Sequence, residues 1–303
     1  MSETTHRILL PALFTLASTA LACAAAAGDP EYVAEIQKWR EQRETRLKAD
    51  GGWLTVAGLF WLEPGANRFG TDPSNQIVLP ADSAPPKAGV FEFAEGRTTL
   101  KAEPGVTITV GGKPVTTQEM KPDSAGEPDI AKLGALTMQV IQRGDRYAIR
   151  MKDMNSRLRK EFKGLHWYPI AESWRVTARW EPYDPPREIP VPTILGTIEK
   201  MPCPGAAVFS IGGQELRLEP VLEEPGDTEL FYIFRDATSG KETYGAGRFF
   251  YSALPADGKV VLDFNKAYNP PCAFTPYATC PLPPEQNRLK AAIEAGELNY
   301  GHH

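Results

Sequence analysis

Residues 231–288 read FYIFRDATSGKETYGAGRFFYSALPADGKVVLDFNKAYNPPCAFTPYATCPLPPEQNR. Phe231, Tyr232, Ile233 and Phe234 form a short apolar run of β-favouring side chains, the pattern of a buried strand. Residues 235–240 follow as turn chemistry: Asp236 and Ser239 can bond their own backbone, and Gly240 supplies positive φ. Gly245 and Gly247 flank Ala246, which suits a bulge or a close approach by another backbone or a ligand. Residues 248–251 read as a strand, Asp257-Gly258 as a hairpin turn, and residues 260–264 as the return strand.

Side chains two apart on a strand share a face, so Glu242 pairs with Tyr244, and Asp263 with Asn265. Arg248 joins the first pair if the glycine bulge keeps the parity. The expectation is a polar pocket in a β cup, with Arg248 gripping a carboxylate or phosphate through two N–H groups. The alternative is an Arg248–Asp263 pair that ties two strands together.

The segments YGAGRFFY and VVLDFNKAYNPPCAFTPYATCPLPPEQNRL, with PTILGTIEKMPCPGAAVF upstream, resemble the bacterial family called domain of unknown function 1684. The resemblance runs from about residue 39 to residue 296. It implies one folded unit and a constraint on Tyr244, Arg248, Asp263, Asn265, Cys272 and Cys280, without roles for them.

With 303 residues the chain is long enough for one large domain or two ordinary ones. Its 28 prolines and 26 glycines favour short strands and turns over long helices. A net charge of −5 with no basic block argues against a nucleic-acid partner. Neither a Walker-type nor a dinucleotide-binding glycine loop occurs, and nothing calls for a cofactor.

Residues 1–22 read as a signal peptide: Arg7 precedes an apolar run over 8–22 that ends in Ala20-Leu21-Ala22, shorter than the ~20 apolar residues of a membrane span. Cleavage by ordinary signal peptidase and lipidation of Cys23 both fit. The expected location is therefore the periplasm, or the cell envelope through a lipid anchor on Cys23.

Asp29-Pro30-Glu31 opens a helix over 29–50, as N-cap, first-turn proline and early acid. Val33, Ile36, Trp39, Arg43 and Leu47 recur at helical spacing, which packs Trp39 against the body. Residues 136–141 and 147–151 form a hairpin turned at Arg143-Gly144-Asp145, and residues 208–211 and 215–220 another turned at Gly212-Gly213. Residues 174–180 alternate as a half-buried strand, and 182–192 is a proline-rich connector. Residues 65–80, and more weakly 89–115, resemble forkhead-associated domains in shape. The arginine that family uses for phosphothreonine is replaced by Thr71, so the resemblance implies shape and not function. The expected fold is mainly β: two packed β-sandwich or barrel-like lobes, over 51–168 and 169–303, with an N-terminal helix.

Cys272 and Cys280 stand too far apart for the paired ligands of common zinc sites, and no histidine is near, so no metal is expected. In an exported chain they are candidates for a disulfide. His166 alone gives no basis for a Ser-His-Asp mechanism. The expected function is an exported protein that binds a small polar or anionic molecule in the C-terminal lobe. A hydrolase using Asp263 and Glu242 as acid and base, and a structural protein of the cell envelope, are the alternatives.

Overall fold

The protein is described by a computed structural model over residues 29–301. Residues 1–22, read above as a signal peptide, and Cys23 lie outside the described residues. Helix α1 spans Pro30–Lys48, and its N-cap Asp29 accepts from the Glu31 N–H at 3.0 Å. Tyr32, Ile36, Arg43 and Leu47 form its buried stripe, at the spacing of one helical face. Trp39 is half-buried, with its ring 5.8 Å from that of Trp167 and 6.4 Å from that of Tyr268.

Eleven strands follow: β1 (Val56–Trp61), β2 (Gly65–Gly70), β3 (Ile77–Val78), β4 (Gly89–Ala94), β5 (Arg97–Ala102), β6 (Ile108–Val110), β7 (Lys113–Val115), β8 (Thr117–Met120), β9 (Ile130–Leu133), β10 (Leu136–Arg143) and β11 (Arg146–Asp153). They make a six-stranded sheet, ordered β1-β11-β10-β9-β6-β7, and a five-stranded one, ordered β3-β2-β4-β5-β8. Phe69, Phe91, Leu100, Met138 and Ile149 are among the side chains that fill the space between them. Burying this apolar surface is the main stabilising term, on the order of 25 cal/mol per Å².

A short helix α2 (Arg157–Glu161) leads to the second lobe: β12 (Arg175–Pro192), β13 (Ile198–Ile211), β14 (Gln214–Leu218), β15 (Glu229–Phe234), β16 (Arg248–Ala253) and β17 (Lys259–Asp263). Strands β14-β13-β12-β17 form one sheet and β15-β16 a two-stranded ribbon. Phe209, Phe234, Phe250 and Phe264 pack between them, with ring centroids 5.2–5.8 Å apart. The mainly-β expectation with an N-terminal helix holds.

Two local expectations are corrected. Asp257 and Gly258 do form a turn, with φ of 51° and 68°. Its arms pair only at Ala256 and Lys259. Beyond that rung the arms part: β16 pairs with β15, while β17 pairs with β12. The proline-rich connector is instead part of β12, which pairs with β13 on both sides of an irregularity between Pro182 and Arg187.

Candidate ligand-binding site

The five residues expected to share a pocket do not converge on one: only Asp263 and Asn265 lie together. Glu242 is exposed on a turn, where its carbonyl accepts from the Asn299 N–H at 2.9 Å. The Tyr244 hydroxyl donates to the Cys272 carbonyl at 3.0 Å. Asp263 and Asn265 belong to a buried network under α1: the Tyr32 hydroxyl donates to Asp263 Oδ1 at 2.9 Å, and Asn265 Nδ2 donates to the Tyr32 oxygen at 2.9 Å. Burial, then the Asp263 charge, hold the Tyr32 phenol well above its usual range.

Arg248 opens β16 with a side chain 0 % exposed, so it cannot read a ligand from solvent. Its ion-pair partner is Asp236, at 3.3 Å, and not Asp263. It also donates to the carbonyls of Ile293 and Ala295, which fastens the C-terminal segment to the ribbon. Asp236 further accepts from Thr238, Ser239 and the Ile293 N–H. The turn chemistry of 235–240 thus organises an internal knot. Gly247, at φ 106°, lets the chain pass there: a Cβ would stand 2.6 Å from the Phe234 carbonyl oxygen.

The chemically unsatisfied place lies elsewhere. A cleft of about 320 Å³ opens between the lobes, lined by Trp53, Arg143, Arg150, Glu223, Phe231, Phe249, Tyr251, Pro271, Thr279, Cys280 and Pro281. Strand alternation explains the two arginines. Met138, Val140, Ile149 and Met151 point into the first-lobe core. Arg143 and Arg150 therefore point to the opposite face. The second lobe covers that face, so Ile141 and Ala148 on it are 0 % exposed.

Arg143 pairs with Asp123 at 2.8 Å. Arg150 is 7 % exposed, sits 5.2 Å from the Trp53 ring and, among the described residues, has no carboxylate in ion-pair contact. Its Nη2 and the Arg143 Nε both donate to Thr279 Oγ1, at 3.2 and 3.0 Å. Its buried Nε has no partner. Burial, then the neighbouring Arg143 charge, bring the Arg150 guanidinium down to about 10. A buried cation without a counter-charge is costly, and a bound anion would offset that cost. On the rim, the Tyr251 hydroxyl donates to Glu223 Oε2 at 2.7 Å. Partial desolvation raises that carboxyl, although the side chain still reaches solvent.

Sequence reading missed Arg143, Arg150 and Thr279. The available signal was an arginine inside the apolar run Ala148-Ile149-Arg150-Met151, a residue type rarely buried without a partner.

Cys280 belongs to the cleft wall, and the Cys272 N–H donates to Cys280 Sγ at 3.2 Å. Both are free thiols in this structure. Contact between the two lowers the Cys272 thiol and raises that of Cys280. Cys203 lies apart, its thiol donating to the Gly205 carbonyl, and burial pushes it up to about 12.

A second cavity, of about 330 Å³ beside Trp39, Tyr251 and Tyr268, contains Asp263. Within it Lys266 is 2.7 Å from Glu35, and the Arg175 guanidinium lies 5.4 Å from the Tyr32 ring. Among the described residues no cluster of His, Cys, Asp and Glu could hold a metal ion, and no helix is long and apolar enough to cross a membrane.

Residues 160–298 match the family described as "Protein of unknown function (DUF1684)". The chain resembles this family over those residues. The matched residues span the second lobe, so the cleft lies between the matched part of the chain and the first lobe. An uncharacterized protein of Haloarcula marismortui, solved in solution, is 30 % identical over 48 % of this chain and 81 % of its own, with a TM-score of 0.41. The FHA-2 domain of a Mycobacterium tuberculosis ABC transporter is 22 % identical over 29 % of this chain and 77 % of its own, with a TM-score of 0.23. No curated protein matches the chain.

Proposed function

We propose that this protein binds a small anionic molecule in the cleft between its lobes. The supporting observation is Arg150: a guanidinium 7 % exposed, with an unpartnered Nε and, among the described residues, no carboxylate within ion-pair distance. An evolved core would hold an apolar side chain at such a position unless the charge had a use. The site differs from the pocket expected around Arg248, but the ligand class is the one anticipated. An acid–base pair of Asp263 and Glu242 has no comparable support, because one is buried under α1 and the other is exposed on a turn. A purely structural role in the envelope leaves Arg150 unexplained.

Arg150→Met tests the proposal. It keeps the length of the side chain and removes the charge. Without ligand the variant should unfold at equal or higher denaturant than the parent, since an uncompensated buried cation is gone. Thermal shifts produced by a panel of small anions should fall at least tenfold in apparent affinity. Equal shifts in both proteins would remove the cleft as an anion site.

Export through residues 1–22, with a lipid on Cys23 as one route, belongs to the same proposal. So does a bond between Cys272 and Cys280. In protein fractionated from the envelope, mass mapping after alkylation without reductant should find Cys203 modified once the chain is unfolded, and Cys272 and Cys280 unmodified. Alkyl groups on both Cys272 and Cys280, or an uncleaved chain recovered from the cytoplasm, would contradict these two parts.

A further inference from the structure

We infer, building on the anion-binding proposal above, that the ligand is a monocarboxylate with an aromatic or branched apolar body. Charge sets the first limit. Of the two guanidiniums in the cleft, Arg143 is paired with Asp123 at 2.8 Å, and Arg150 has no ion-pair partner among the described residues. Glu223 adds a carboxylate at the rim. A singly charged group matches the single charge of Arg150, whereas a phosphate dianion would bring a second negative charge close to the Glu223 carboxylate.

Hydrogen bonding sets the second. Thr279 Oγ1 accepts from both arginines, at 3.0 and 3.2 Å, so its own proton is free to donate. That hydroxyl and the Arg150 guanidinium both line the cleft, and together they offer neighbouring N–H and O–H donors of the kind that suit the two oxygens of a carboxylate. The walls set the third. Trp53, Phe231 and Phe249 line the same 320 Å³ space, and flat apolar walls favour a ring or a branched chain over a hydrated ion.

Isothermal titration of the purified protein with benzoate, acetate, inorganic phosphate and benzyl alcohol separates these limits. Benzoate should bind at least tenfold more tightly than acetate, phosphate or benzyl alcohol. Arg150→Met should weaken benzoate at least tenfold, and Trp53→Leu should weaken benzoate while leaving acetate within about twofold. The probe ranking on the parent protein stands even if a variant fails to fold, and Arg150→Lys, which keeps the charge, should retain part of the affinity. Phosphate bound as tightly as benzoate, with loss in Arg150→Met, would overturn the carboxylate class and keep the anion cleft. Binding of no probe would overturn the inference for this class, and anion binding indifferent to Arg150 would overturn both.

Discussion

Arg248→Ala is expected to lower the unfolding free energy by about 3–5 kcal/mol, the usual cost of stranding one member of a buried ion pair. Arg248 and Asp236 are both 0 % exposed in their side chains, at 3.3 Å. Removing the guanidinium leaves the Asp236 carboxylate in low dielectric with neutral donors only: Thr238, Ser239 and the Ile293 N–H. It also frees the carbonyls of Ile293 and Ala295, which Arg248 holds against the ribbon. Asp236→Asn should cost less, because a neutral amide oxygen still accepts from the turn. The measurement is the denaturant midpoint at constant m-value. A loss below about 1 kcal/mol, the range of a solvated surface pair, would mean that the pair is not closed from water.

Arg43→Ala is expected to be of similar size, about 3–5 kcal/mol near neutral pH, and to depend on pH. Arg43 lies in α1 and reaches Glu297 at 3.3 Å, the Asn269 carbonyl at 2.8 Å and the Tyr268 ring at 4.5 Å. It therefore clamps the N-terminal helix to the C-terminal segment. Glu297 is fully buried, and desolvation raises its carboxyl above the ordinary range even with Arg43 opposing the shift. Without Arg43 the shift grows. A carboxyl raised in the folded state supports folding below its unfolded value, near 4.3, and that support is lost as pH rises through the folded value. The penalty of Arg43→Ala, measured against the parent protein, should be small in acid and increase towards neutrality. A penalty independent of pH would show that Glu297 does not carry the charge in this pair.

Much of the local structure was legible before any coordinates. Asp29-Pro30-Glu31 marked the start of α1 because an N-cap acceptor and a proline at the first position satisfy or remove the orphan N–H groups there. The hairpins turning at residues 143–145 and at 212–213 were legible because period-two alternation and left-handed glycines are local properties. Mainly-β architecture followed from the same alternation and the density of turn residues.

Partners across the chain were not legible. Asp257-Gly258 makes its turn, yet which strands join β16 and β17 depended on hydrogen-bonding edges that look alike in every strand. Arg248 took an aspartate as expected, but the one 12 residues before it, since charge says nothing about which of two equal carboxylates arrives. Asp263 went to Tyr32, 231 residues away. Arg150 is the clearest case. Its alternation placed it off the first-lobe core, which in an isolated sheet means solvent. Only the packing of the second lobe over that face made it a buried cation, because burial there is a property of two surfaces meeting and is written in neither strand alone.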